Sequence, residues 1–84
     1  MGNRALRYRD FLRLARCHGV AEVPGRGKGS ERLWERRIGG RRLVATVTCH
    51  GKGRALGVGL IAAVRRRLEL DPAHGVTDEE FYAD

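Results

Sequence analysis

No apolar run reaches the ~18 residues that a membrane-spanning helix needs, so the sequence excludes a hydrophobic transmembrane segment and no membrane partner is expected. The opening "MGNRALRYRD" lacks the continuous apolar segment of a secretory signal. A cytoplasmic protein is therefore expected, with its two cysteines, Cys17 and Cys49, as thiols. Each cysteine precedes a histidine, in Cys17-His18 and Cys49-His50, but the ligand spacing of a zinc site is missing. Neighbouring residues point to opposite faces of a strand and diverge by about 100° on a helix, so neither pair converges on one ion. No metal and no cofactor is expected. The GxxxxGK[ST] spacing of a Walker loop is also absent, which excludes that mode of phosphate binding.

Acids are scarce over most of the chain. Residues 1–68 hold four Asp and Glu against all 17 Lys and Arg, a balance of +13. The other six acids, Glu69, Asp71, Asp78, Glu79, Glu80 and Asp84, fall in a tail without Lys or Arg, which brings the net charge to +7. Lysine is scarce too, since 15 of the 17 cations are arginine. A field of this sign favours a polyanion as partner, and the planar guanidinium suits bidentate phosphate contacts. The plainer reading of the same numbers is an arginine-rich surface with no dedicated ligand.

What is present is enough for one small globular domain over residues 1–84, with a core in 1–70 and an acidic C-terminal turn or short helix in 71–84. In "YRDFLRLARCHG", Tyr8, Phe11, Leu12, Leu14 and Ala15 share one helical face, and Arg9, Arg13 and Arg16 recur on the other. Gly19 is placed to end this helix in a left-handed conformation. "VAEV" reads as a short strand closed by Pro24. "ERLWERRI" and "RLVATVTCH" read as a hairpin about Gly39-Gly40, because adjacent glycines supply the positive φ angles of a tight turn. Alternation puts Leu43, Ala45, Val47 and Cys49 on the apolar face and turns His50 away from the core.

"VGLIAAVRRRLEL" predicts a second helix, with Ile61, Val64 and Leu68 inward, Arg65, Arg66 and Arg67 mostly outward, and Pro72 and Gly75 ending it. Thr77 and Glu80 have the spacing of a capping box. The expected fold class is α+β: an α-β-β-β-α sandwich with two helices on one face of a three-stranded antiparallel sheet.

Two short segments repeat one idea. Gly27-Lys28-Gly29 precedes the second strand and Gly51-Lys52-Gly53 follows the third, and an antiparallel hairpin brings these positions to one edge. Glycines let backbone N–H groups turn toward an anion, and each lysine adds a mobile charge. Arg26, Lys28, Gly29, Ser30 and Lys52 are thus candidate phosphate ligands, although each loop alone is equally an ordinary turn. Glu31 and His50 near the same edge are candidates for proton transfer in metal-free RNA cleavage, which needs a base, an acid and cations around the charged phosphorane. His50 titrates in the right range for either role. The plainer readings are a surface ion pair for Glu31 and a solvent-facing strand end for His50.

Taken together, "RDFLRLARCHGVAEV", "GKGSERLW", "VTCHGKG" and "GVTDEEF" resemble, in order and spacing, segments of the HicA family of small toxins, messenger-RNA interferases of toxin–antitoxin pairs. The resemblance covers nearly the whole chain. It implies a double-stranded-RNA-binding-like α-β-β-β-α fold, messenger RNA as substrate, and a cognate HicB-like antitoxin that covers the RNA site. A homodimer is left open. The family's catalytic histidine follows a Gly-Ser pair, and here that position is Glu31. Three readings follow: Glu31 does the histidine's work, His50 takes it over, or cleavage is lost and RNA binding remains. A non-catalytic RNA-binding module is therefore the alternative to a nuclease, and a basic face that docks an acidic protein is a third reading.

Overall fold

The computed structural model describes residues 4–25, 29–51 and 53–83. In chain order these form β1 (Leu6–Arg7), α1 (Tyr8–Arg16), β2 (Val20–Val23), β3 (Glu31–Ile38), β4 (Arg41–Thr48), β5 (Ala55–Leu56), α2 (Val58–Arg67), a 3₁₀ turn (Pro72–His74) and α3 (Asp78–Tyr82). The class is α+β. A three-stranded antiparallel sheet has the order β2-β3-β4, and a separate two-stranded ribbon joins β1 to β5.

Helix α1 buries Tyr8, Phe11, Leu12, Leu14 and Ala15, the face its periodicity predicts. It closes through Cys17, His18 and Gly19, whose N–H groups donate to the carbonyls of Leu14, Ala15 and Arg16, and Gly19 is left-handed at φ +87°. The β3–β4 hairpin turns on Gly39 (φ 53°) and Gly40 (φ 82°), two positive angles that only glycines adopt cheaply.

Directly opposed residues of an antiparallel pair share a face. The register Val20↔Arg36↔Leu43, Glu22↔Trp34↔Ala45 and Arg32↔Val47 therefore defines one side of the sheet. Val20, Trp34, Ala45, Val47 and Cys49 on that side join residues of α1, α2 and α3 in a single buried cluster. Trp34 is fully buried beneath α1, its indole N–H donating to the Tyr8 hydroxyl at 2.9 Å and its ring 4.8 Å from that of Phe11. Burial pushes the Tyr8 hydroxyl up to about 12, so it stays protonated at any physiological pH.

The ribbon of β1 and β5 has no counterpart in the sequence reading. Two-residue strands carry no measurable alternation, and here the pairing Leu6↔Leu56 and Arg7↔Ala55 forms because it ties the starts of α1 and α2 together. Helix α2 also ends earlier than Pro72 suggests. It stops at Arg67, Glu69 adopts a left-handed φ of 57°, and Arg36 reaches across to donate to the carbonyls of Leu68 and Glu69 at 2.8 and 3.0 Å.

The expected outward run of arginines at 65–67 needs a correction at its first member, because Arg65 is 3% exposed. Its Nε donates to the Leu70 carbonyl, Nη1 meets Asp78 at 2.8 Å, and the guanidinium lies 4.6 Å from the Phe81 ring centre. A buried guanidinium tolerates this site because its donors and its flat face are both matched.

The capping box is formed as expected, with Glu80 N–H donating to Thr77 Oγ1 and Thr77 N–H donating to the Glu80 carboxylate. Helix α3 is held between neighbours: Phe81 touches Phe11 and His18 at 5.8 and 5.6 Å on one side and Arg65 on the other. Thr77→Ala is expected to cost about 1 kcal/mol, read as a lowered urea midpoint with an unchanged slope. A midpoint identical to that of the parent protein would show that the cap contributes nothing.

Candidate nucleic-acid interface

The sheet edge where β3 begins and β4 ends gathers the chemistry that the loops suggest. The Cys49 N–H donates to the Ser30 carbonyl at 2.6 Å, so pairing continues past Glu31↔Thr48 and sets residues 29–31 beside residues 49–51. Gly29 is left-handed at φ 55°, and its carbonyl accepts from Arg32 Nη1 at 2.6 Å. Arg32 lies on the helix side of the sheet and also meets Glu22 at 3.4 Å, so it braces the loop from inside and does not face solvent freely.

Glu31 and His50 are both exposed. Glu31 stands opposite Thr48 on the open side of the sheet, and His50 follows Cys49, whose side chain is buried in the core, so the outward turn expected for His50 is found. Among the described residues no hydrogen bond or ion pair joins Glu31 to His50. The two are neighbours on one edge without being a preformed pair. Arg26, Lys28 and Lys52, three of the candidate phosphate ligands, lie outside the described residues; Gly29 and Ser30 lie within them at this edge.

Arg54 is the residue that the sequence reading passed over. Its N–H donates to the Gly51 carbonyl at 2.9 Å and its carbonyl accepts the Tyr8 N–H at 3.1 Å, so it links the loop after β4 to the first turn of α1. A Cβ at Gly51 would stand 3.3 Å from Arg54 Cγ, which shows how closely this side chain lies over the glycine. Its signal in the sequence is its place directly after Gly51-Lys52-Gly53.

The arginines divide by position. Arg37 and Arg42 share Glu35, Arg41 holds Glu69 at 2.6 Å, Arg65 holds Asp78, and Arg36 is engaged by the carbonyls of His18, Leu68 and Glu69. The Arg42 hydrogen bond depresses the Glu35 carboxyl, and Arg41 does the same to Glu69, so both stay ionised as partners. By contrast, among the described residues no side-chain hydrogen bond or ion pair engages Arg7, Arg9, Arg16 or Arg54. The same holds for the exposed Arg66 and Arg67 at the end of α2, so arginines without such partners lie at β1, along α1, after β4 and at the end of α2.

Cys17-His18 ends α1 beside Arg36, while Cys49-His50 sits at the opposite end of the sheet, and among the described residues no group of three or more His, Cys, Asp and Glu could hold a metal ion. Among the same residues no helix is long and apolar enough to cross a membrane. The site thus belongs to a small α+β protein with a basic sheet edge. No family model, curated protein or solved structure matches the chain.

Proposed function

We propose that this protein is a HicA-like, RNA-directed toxin component of a toxin–antitoxin pair, which binds messenger RNA at the loop edge and cleaves it without a metal. The single observation that supports the reading is the bond from Cys49 N–H to the Ser30 carbonyl, which brings Gly29, Ser30, Glu31 and His50 to one edge of a basic protein. Arg54 and the candidate ligands Ser30, Lys28 and Lys52 would hold phosphate there. The order α1, β2, β3, β4, α2 within the chain supports a double-stranded-RNA-binding-like reading, to which β1, β5 and α3 are additions. A cytoplasmic location and a HicB-like antitoxin covering the edge belong to the same reading.

In the chemistry proposed, one of Glu31 and His50 removes the 2′-hydroxyl proton and the other protonates the leaving 5′-oxygen, while the cations stabilise the phosphorane charge. The second reading, an RNA-binding module without cleavage, is favoured by the glutamate at the histidine's position and by the lack of contact between Glu31 and His50.

Incubation of the purified protein with single-stranded RNA in EDTA separates the two. Cleavage is expected, falling by about 10²-fold or more in Glu31→Ala and in His50→Ala. Equal cutting by both variants and the parent would sink the site assignment. Salt-dependent binding without any cutting would establish the second reading.

A further inference from the structure

The unengaged arginines lie in an order. Arg54 covers Gly51 at the loop edge. Its carbonyl is bonded to Tyr8 N–H, and the exposed Arg7 precedes Tyr8 on the ribbon. Arg9 and Arg16 follow on the exposed face of α1, seven residues and hence about 10.5 Å apart along the axis, at nearly the same angle around it. Between them Arg13 meets Asp10 at 3.8 Å, an exposed pair that salt screens easily.

The end of α2 differs. Arg66 and Arg67 are also exposed, but they end a helix against which the acidic first turn of α3, Asp78 to Glu80, is docked through Arg65. Among the described residues Asp78, Glu79 and Glu80 make up that turn, and Asp78 pairs with Arg65 of α2. A polyanion that leaves the loop edge therefore meets Arg9, Arg13 and Arg16 along α1 with Asp10 as the single acid of that helix, and toward the end of α2 it meets the acidic first turn of α3.

We infer that α1 carries a second binding segment for single-stranded RNA, in which Arg54 and Arg7 hand the backbone from the loop edge to Arg9 and Arg16. This inference rests on the RNA reading above and adds the path of the strand. It makes the site longer than the edge that holds Glu31 and His50, so RNA of about six nucleotides fills the edge alone and longer RNA also covers α1. The contacts are to phosphate and carry no sequence preference.

The test is fluorescence anisotropy with labelled 2′-O-methyl oligouridylates of six and twenty nucleotides, which lack the attacking hydroxyl and so stay intact, titrated between 50 and 300 mM KCl in EDTA. The parent protein is expected to show a steeper salt dependence with the 20-mer than with the 6-mer. In R9Q/R16Q the slope of log K against log[KCl] for the 20-mer should fall by about 1.4, with affinity near 0.1 M salt roughly 20-fold weaker, and 6-mer binding should be unchanged. R66Q/R67Q removes the same charge and should leave both slopes as they are.

A 20-mer slope unaltered in R9Q/R16Q overturns the α1 path while the RNA reading stands. An equal loss in R66Q/R67Q also overturns it, because net charge alone would then explain the effect. Failure of the parent protein to bind either oligomer overturns the RNA reading and this inference with it.

Discussion

Arg65→Ala is expected to destabilise the protein by about 3 kcal/mol, the low end of the range for removing one partner of a buried ion pair. The low end applies because Asp78 is 36% exposed and can recover water, whereas Arg65 itself is 3% exposed. The loss has three parts. The Leu70 carbonyl loses its 2.8 Å donor, Asp78 loses its cation, and Phe81 and Tyr82 lose the guanidinium that lies 4.6 and 5.8 Å from their ring centres. For a small domain whose total stability is on the order of 5–15 kcal/mol, this is a large share.

The damage should also be local before it is global. Residues 70–82 are joined to α2 through Arg65, so amide exchange in α3 should accelerate more than exchange in β3. Arg65→Met keeps the apolar stem over Phe81 and should lose less than alanine does. A urea titration in which Arg65→Ala falls by under about 0.5 kcal/mol, within the ordinary range of surface substitutions, would show that the tail is held without this arginine.

Trp34→Ala should have the largest effect of any single substitution, about 3–5 kcal/mol. Trp34 is wholly buried at the centre of the sheet and packs against both Tyr8 and Phe11, with ring centroids at 5.6 and 4.8 Å. Alanine leaves a cavity between the sheet and α1 that the two-layer architecture cannot close, because the hairpin and the helix are both rigid. Trp34→Phe fills most of that volume but deprives the Tyr8 hydroxyl of its 2.9 Å donor, so an intermediate loss is expected. Circular dichroism is the right probe, since Trp34 is the sole tryptophan and its fluorescence disappears in both variants. A Trp34→Phe midpoint equal to that of the parent protein would mean that the indole N–H contributes nothing beyond volume.

Much of the fold can be read from local pattern, and the reason is specific in each case. The 3.6-residue period of α1 survives because one side of the helix meets a core and the other meets water. The Gly39-Gly40 turn is legible because both positions need positive φ, and β4 is legible because one face of the sheet is covered and the other is open. Antiparallel geometry alone predicts that the two glycine-rich loops meet, and the Cys49–Ser30 bond aligns the described residues that adjoin them. Glu31 and His50 could be named as chemistry at that edge, but their separate, uncoupled placement could not.

The sequence by itself determined the charge of this protein, the segregation of its acids into the tail, the period of α1, the turn of the hairpin and the cap of α3, because each depends on residue identity or on neighbours a few positions away. Only the tertiary structure decided which arginines those acids neutralise. Glu69 takes Arg41 and Asp78 takes Arg65, 28 and 13 positions apart in the chain, distances that no local pattern encodes. It likewise decided that Arg65 is an interior residue, because burial of a cation depends on carbonyls and rings assembled from elsewhere. And by pairing Arg7 with Ala55 it set Arg54 beside α1.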